Sequence, residues 1–356
     1  MNGNVNPSFW HRKKVYLTGH TGFKGSWLSL WLSSMGAEVK GYALDPPTTP
    51  ALFEVASVSS YLESEIGDIR ALDKLTRSIK EFNPDILLHL GAQSLVLKSY
   101  EDPIETYTTN VMGTANVLQA SRNLPNLKAI VSVTTDKCYE NQEWVWGYRE
   151  NEPLGGKDPY SSSKACAELV TSAFRHSFFT DPQGAQVATA RAGNVIGGGD
   201  WTEHGLMADI LRAFEQSKPV IIRNPLAVRP WQHVLEPLSG YLMLAEALYQ
   251  EGEKFAEAWN FGPTEADCKP VNWILDHMVN LWGNGASWEL DQQAKPHEAR
   301  LLKLDSSKAA AHLGWTPQWR LESVLGNVVQ WHQEWRASGN MAQRCLSDIA
   351  AYTKQI

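Results

Sequence analysis

The chain of 356 residues exceeds the ~250–300 at which a single hydrophobic core usually stops growing, so a large domain carrying a smaller one is expected. Apolar residues make up 43% and charged residues 20%, with no run of about 18 apolar residues, which excludes a disordered chain and a membrane-spanning helix. A formal net charge of -7 argues against nucleic acid as a partner, because proteins that hold a phosphate backbone carry a positive footprint.

Composition sets three further expectations. Cys138, Cys166, Cys268 and Cys345 lie far apart with no C-x-x-C pair, so neither a zinc site nor a disulfide framework is expected. Met1 to Lys14 lacks the apolar stretch of a signal peptide, and with the scattered cysteines this points to a reducing, cytoplasmic location. The 15 Trp are expected to be packing residues, with a few lining a pocket.

The first half alternates short β-like runs with helical stretches, the pattern of a parallel sheet covered on both faces. Strands are expected at Val15–Thr18, Val39–Leu44, Ser64–Ile66, Ile86–Leu90, Ala129–Val133 and Val187–Arg191. Helices are expected at Ser26–Met35, where Gly36 supplies a stop, and at Ala71–Glu81, Ile104–Asn123 and Ser161–Phe178. The fold class is therefore α/β, a doubly wound, Rossmann-like parallel sheet with a smaller mixed C-terminal domain. From about Gly197 the rhythm loosens, with helices expected at Leu206–Glu215, Pro237–Tyr249 and Asn272–Trp282. We place a dinucleotide-binding domain at 1–190 and a second domain at 191–356, with some chain exchange between them.

Directly after the first strand comes Thr18-Gly19-His20-Thr21-Gly22-Phe23-Lys24-Gly25. Gly19 permits a tight turn, Gly22 lets backbone approach a pyrophosphate, and Gly25 lets the helix pack on the strand, with the helix N-terminus aimed at the anion. Asp45 ends strand two, where a carboxylate accepts hydrogen bonds from the ribose hydroxyls of NAD and repels the 2′-phosphate of NADP. Asp68 and Ile69 come after strand three and are placed to flank an adenine. Tyr160 and Lys164, four apart, share one helical face, where an ammonium can lower the phenol pKa and make Tyr160 a base for a sugar hydroxyl. Thr134-Thr135-Asp136-Lys137 emerges from the fifth strand at the carboxyl edge of the sheet, where open α/β folds bind ligands.

Together with His89-Leu90-Gly91-Ala92-Gln93 and Thr109-Asn110-Val111-Met112-Gly113-Thr114, these motifs resemble the extended short-chain dehydrogenase/reductase family from about Lys13 to Pro317. The resemblance implies NAD as cofactor, with Gly19, Thr21, Gly22, Phe23, Gly25, Asp45, Asp68, Ile69, Gln93, Asn110, Tyr160 and Lys164 around it. Within the family the chain resembles nucleotide-sugar 4,6-dehydratases, because Thr135-Asp136 stands where those enzymes carry Thr-Asp-Glu, with Lys137 in the Glu position. Lys137, Gly198-Gly199-Asp200-Trp201, Arg229-Pro230-Trp231-Gln232-His233-Val234 and Pro296-His297-Glu298-Ala299 are similar to the branch acting on CDP-glucose.

What this implies is C4 oxidation, loss of water across C5–C6 and hydride return to C6, a lyase reaction of deoxysugar biosynthesis. Thr135 would bind the C4 hydroxyl, Tyr160 take its proton and Asp136 protonate the leaving C6 hydroxyl. Lys137 would be the C5 base, provided it is neutral, and its closeness would lower the pKa of Asp136 if the two side chains converge. Asn194, Arg229 and Arg300 would hold the diphosphate, and His233 and His297 would be structural. A homodimer or homotetramer is implied, its dimer built on the helices near Ile104–Asn123 and Ser161–Phe178. A 4-epimerase, a dehydratase for another nucleotide sugar, and a silent NAD-bound scaffold remain the alternatives.

Overall fold

A computed structural model of the protein describes residues 3–291 and 301–354. Its centre is a seven-stranded parallel sheet built from β1 (Lys14–Thr18), β2 (Glu38–Ala43), β3 (Glu63–Ile66), β4 (Ile86–His89), β5 (Ala129–Val133), β6 (Gln186–Ala192) and β7 (Ala258–Phe261). The strand order is β7-β6-β5-β4-β1-β2-β3, so the winding reverses between β1 and β4, which opens a crevice at their carboxyl ends. β4, β5 and β6 are buried along their whole length, as strands covered on both faces must be; β4 and β5 read as near-continuous apolar runs, whereas β6 carries the buried polar residues Gln186, Thr189 and Arg191.

The helices that position the site are α1 (Phe23–Ser34), α2 (Leu72–Phe82), α3 (Gly113–Ala120), α4 (Pro159–Phe178), α5 (Leu235–Glu251) and α6 (Met341–Lys354). α4 starts at Pro159, a residue suited to a first helical position, and the Asp158 carboxylate accepts from the Ser161 N–H at 2.9 Å. α5 tolerates Pro237 because the first turn has no intrahelical partner for its missing N–H. The expected single helix over Ile104–Asn123 is instead three segments: Pro103–Tyr107, a π-helical turn at Thr108–Met112, and α3. The wider turn accommodates Asn110, whose side chain is drawn inward to the β4 end and to α4.

β7 and α5 come from the second half of the chain yet complete the large sheet and its core, with Trp259, Phe261, Leu238 and Leu242 joining Leu17, Leu88 and Val131. α6 lies against α1, where the rings of Trp31 and Tyr352 are 5.7 Å apart. A smaller lobe packs Leu206–Glu215, Val271–Trp282 and Leu321–Arg336 around a separate core of Ile210, Phe214, Ile274, Val324 and Val328. Trp10, Trp27, Trp31, Trp259, Trp315 and Trp331 are fully buried. Each removes ~150–250 Å² from water, about 4–6 kcal/mol of transfer free energy before the entropy of ordering is counted.

Candidate active site

β1 ends at Thr18, and the chain turns through Gly19 at φ +80° into α1. A Cβ at Gly19 would meet the Gly91 nitrogen at 2.8 Å, and one at Gly25 would meet the Gly19 carbonyl oxygen at 2.0 Å, so both positions demand glycine. A Cβ at Gly22 would meet Gly19 oxygen alone, at 3.4 Å, leaving the space in front of α1 clear. No side chain caps α1 at Gly22, so its first N–H groups face that space as a ready anion cradle. Thr21 Oγ1 donates to the Leu44 carbonyl at 2.8 Å and fixes the turn to the end of β2, where Asp45 stands exposed. Phe23 closes the turn from the other side, its ring 3.2 Å from where Gly197 would carry a Cβ. These features fit a dinucleotide: a glycine-lined cradle at a helix N-terminus, and a free carboxylate one strand away.

Other residues expected around the cofactor shape the walls. Asp68 is clasped by Arg70, at 2.7 and 2.8 Å, which holds its carboxyl below the usual range. Ile69 is buried against Gly113. The Asn110 amide is fully engaged: its Oδ1 accepts from the Gln93 N–H at 2.8 Å, while Nδ2 donates to the Gln93 carbonyl at 2.9 Å and Ser163 Oγ at 2.8 Å. The Gln93 side chain donates to Thr106 and Leu95. Asn110 and Gln93 thus lock the β4 loop to α4.

Thr135, Asp136, Lys137 and Tyr160 do converge at the carboxyl edge of β5. Thr135 caps a one-turn helix, Asp136–Cys138, and its Oγ1 donates to Asp136 Oδ1 at 3.0 Å. Thr135 acts on the Tyr160 phenol, and the Lys137 ammonium lies 5.9 Å from the Tyr160 ring. Asp136 is 2% exposed, and burial pushes its carboxyl above the usual range against the opposing pull of Lys137, Thr135, Arg229 and Lys24. The competition between burial and the adjacent Lys137 is therefore won by burial, which suits Asp136 to donate a proton.

Tyr160 departs from expectation. Its phenol is shifted upward, by burial first and then by Asp136, Asp158 and Cys138, with Thr135 opposing. Lys164 does not offset this, because its ammonium turns to the Val133 carbonyl at 3.4 Å. Burial, and then Lys24, pull Lys164 down to about 8.

In the smaller lobe, Asn194 takes the Gln232 N–H on its carbonyl oxygen at 3.3 Å. Gly193 passes so near the acid that a Cβ would lie 3.0 Å from Asp136 Oδ2. Arg229 donates to the Val228 carbonyl and acts electrostatically on Asp136, so the site draws on both lobes. His233 is fully buried, held neutral with its pKa lowered to about 3, and accepts from the Leu235 N–H. Arg300 and His297 lie outside the described residues. Among the described residues no group of His, Cys, Asp and Glu could hold a metal.

Two residues that the sequence motifs do not mark out join the site. The Lys24 ammonium lies 5.9 Å from the ring of buried Tyr241, acts on Asp136 and Lys164, and is pulled by burial to about 8. The Tyr241 hydroxyl is buried without a hydrogen-bond partner. Lys24 is visible in the sequence as the one cation inside the glycine turn; Tyr241, an ordinary apolar-face residue of a helix, carries no such signal.

The family profile described as GDP-mannose 4,6 dehydratase matches residues 17–328. A CDP-glucose 4,6-dehydratase of Salmonella typhimurium is 58% identical, over 98% of this chain and 99% of its own length. A dTDP-glucose 4,6-dehydratase of Xanthomonas campestris is 27% identical over 89% of this chain and 92% of its own. Among solved structures, the UDP-glucose 4-epimerase of Thermotoga maritima with UDP-glucose superposes with a TM-score of 0.80 at 21% identity, covering 91% of this chain and 99% of that one. The dTDP-glucose 4,6-dehydratase of Bacillus anthracis in complex with NAD gives 0.75 at 22%, covering 93% and 99%. The structural likenesses speak for the fold, and the long matches in sequence for descent. The chain belongs to the GDP-mannose 4,6-dehydratase family of nucleotide-sugar enzymes.

Proposed function

We propose that this protein is an NAD-dependent lyase that converts CDP-D-glucose to CDP-4-keto-6-deoxy-D-glucose and water. The observation that carries the reading is the buried Asp136, its carboxyl pushed above the usual range by burial, one residue from Thr135 and beside Tyr160. An epimerase has no leaving hydroxyl to protonate and no use for that acid. The 58% identity to a CDP-glucose 4,6-dehydratase supports the nucleotide.

When bound, NAD supplies the hydride acceptor for C4 and the donor for C6. Thr135 and Tyr160 hold the C4 hydroxyl, and Tyr160, once ionised to the phenolate, accepts its proton. The resulting 4-ketone acidifies C5. Lys137 takes the C5 proton as the C5–C6 double bond forms and the C6–O bond breaks, Asp136 gives its proton to the departing hydroxyl, which leaves as water, and Lys137 returns the proton to C5 when C6 is reduced. Lys164 provides positive charge behind Tyr160. The α1 N-terminus, Gly22 and Asp45 receive the dinucleotide, while Asn194, Arg229 and Arg300 receive the sugar diphosphate.

We place this activity in the cytoplasm, in a homodimer or homotetramer. No helix among the described residues is long and apolar enough to cross a membrane. Tyr100, Ile104, Met112 and Leu169 are exposed on the segment before α3 and on α4, with Ile104 70% exposed, which supports pairing through those helices. The deciding experiment incubates the protein and NAD with CDP-, dTDP-, UDP- and GDP-glucose and tracks loss of water by mass spectrometry. Loss from CDP-glucose is expected. Turnover of another nucleotide sugar in its place, or conversion without change of mass, rejects the assignment.

A further inference from the structure

Behind the converging catalytic residues lies a buried polar junction that the chemistry above does not use. Glu168 sits on α4 one turn beyond Lys164, which is itself one turn beyond Tyr160, so all three line one face of that helix. The Glu168 carboxylate accepts from Thr134 Oγ1, from Thr189 Oγ1 at 2.7 Å, and from the Arg191 guanidinium at 2.7 Å. Arg191 in turn donates to the Tyr139 hydroxyl at 2.8 Å and the Glu150 carbonyl at 3.0 Å, and Tyr139 donates to Asn260 at 2.8 Å. Glu168 and Arg191 are each 3% exposed at the side chain, so water does not screen the pair.

The partners of Glu168 adjoin the catalytic residues in the chain. Thr134 immediately precedes Thr135 and Asp136, and Arg191 precedes Gly193 and Asn194, of which Gly193 passes beside Asp136. One carboxylate thus ties together the helix of Tyr160 and Lys164, the turn of the acid, and the strand leading to the second lobe. Removing a buried ion pair in favour of apolar residues is often neutral or stabilising, so stability alone is a weak reason for a charge here.

We propose that Glu168 is a positioning residue for Lys164: braced by Arg191, Thr134 and Thr189, it holds the catalytic helix to the acid-bearing turn and supplies the buried negative charge that keeps the Lys164 ammonium charged. The groups around Lys164 make this charge necessary. Lys24 faces it from α1 and disfavours its protonation; His89 from β4 is neutral, its pKa lowered to about 3; Cys138, from the turn, is a buried thiol pushed well above its usual range. Burial pushes both the Tyr160 phenol and the Asp136 carboxyl above their usual ranges, away from the charged form. Glu168 is the nearby acid held below its usual range, by Arg191, Thr134 and Thr189 against its burial.

The inference rests on the reading of Tyr160 and Lys164 as the catalytic pair, and the test separates the two. With NAD and CDP-glucose, the wild-type kcat/KM profile is expected to fall on the alkaline side near pH 8, where Lys164 loses its proton. Lys164→Arg, whose guanidinium does not titrate there, is expected to abolish that limb. A limb that survives in Lys164→Arg overturns the catalytic reading and this inference with it. In the double variant Glu168→Gln with Arg191→Met, both buried charges go together, so the thermal midpoint is expected to stay near wild type while the limb moves about one unit to lower pH. Glu168→Gln alone leaves the buried Arg191 charge unpaired, so it is expected to melt lower than wild type and to move the limb to lower pH at least as far, and Glu168→Asp, which keeps the charge, is expected to retain the wild-type limb with a lower kcat. A folded charge-free variant whose limb does not move shows that Glu168 is a tether only, and rejects the proposal while leaving the catalytic pair intact.

Discussion

Replacing Asp136 by asparagine separates the two halves of the proposed chemistry. The amide keeps an acceptor for Thr135 Oγ1, now at 3.0 Å, and nearly the same volume, but it has no acidic proton. General acid catalysis contributes about 10²–10⁴-fold, or roughly 3–5 kcal/mol of barrier, so dehydration should slow by that factor. Oxidation at C4 relies on Thr135 and Tyr160 and should persist, so the variant should accumulate sugar that has lost its C4 hydrogen but not its water. CDP-glucose deuterated at C4, sampled by rapid quench and mass spectrometry, reads both events. In the wild type the label should reappear at C6 of the same molecule, without crossover when labelled and unlabelled substrate are mixed. Stability should move the other way. The Asp136 pKa is raised above its unfolded value of 3.8, so its favourable contribution is complete below that pH and is lost as pH rises through the folded value. At neutral pH the asparagine variant escapes that loss and should melt at or above the wild-type temperature. Dehydration within about tenfold of wild type, or label retained at C4, would refute the reasoning.

Three other outcomes are expected. Tyr160→Phe should lower turnover by about 10²–10⁴-fold with the fold intact, as circular dichroism would verify; near wild-type turnover would make Tyr160 structural. NAD should support the reaction far better than NADP, and Asp45→Ala should narrow the gap; equal rates with both cofactors would remove Asp45 from the ribose site. Glu246 is buried, accepts from the Asn6 N–H at 3.0 Å and Trp10 Nε1 at 2.6 Å, and is pushed up to about 7 from 4.5. Its stabilising contribution is complete below the unfolded value and lost as pH rises through about 7, so thermal melts of Glu246→Gln should gain on wild type above that pH and not below 4.5. A difference independent of pH would contradict the assignment.

Much of the large sheet is legible in the sequence because parallel strands buried on both faces are mostly apolar, as in Ala129–Val133 and Ile86–His89, where Ser132 and His89 are the only polar members. The glycine turn is legible because backbone geometry leaves no alternative at Gly19 and Gly25. β7 is not, since four residues from the far half carry no local sign of which sheet receives them. The break at Thr108–Met112 is hidden because a π turn keeps helical composition and differs only in where Asn110 is sent. The upward shift of Tyr160 escapes the sequence for a related reason: spacing of four places Lys164 on the same face, but rotamer and burial decide that its ammonium reaches the Val133 carbonyl. Sequence can pose the contest between burial and charge at Asp136, and needs three dimensions to decide it.

The interleaving of the two halves also governs how the chain can be made. During synthesis the ribosome delivers β1 and α1 first, yet β6 gains its outer neighbour only when residues 258–261 emerge, and the face of α1 that receives Tyr352 stays bare until α6 is made. The nascent cofactor half must therefore carry Trp27, Trp31 and an open parallel edge through most of translation, a state of high contact order that invites aggregation. Growth temperature and chaperone supply should consequently limit the yield of folded protein more than any weakness in the finished molecule, and fragments ending before α6 should be recovered insoluble even though the dinucleotide cradle lies wholly within them.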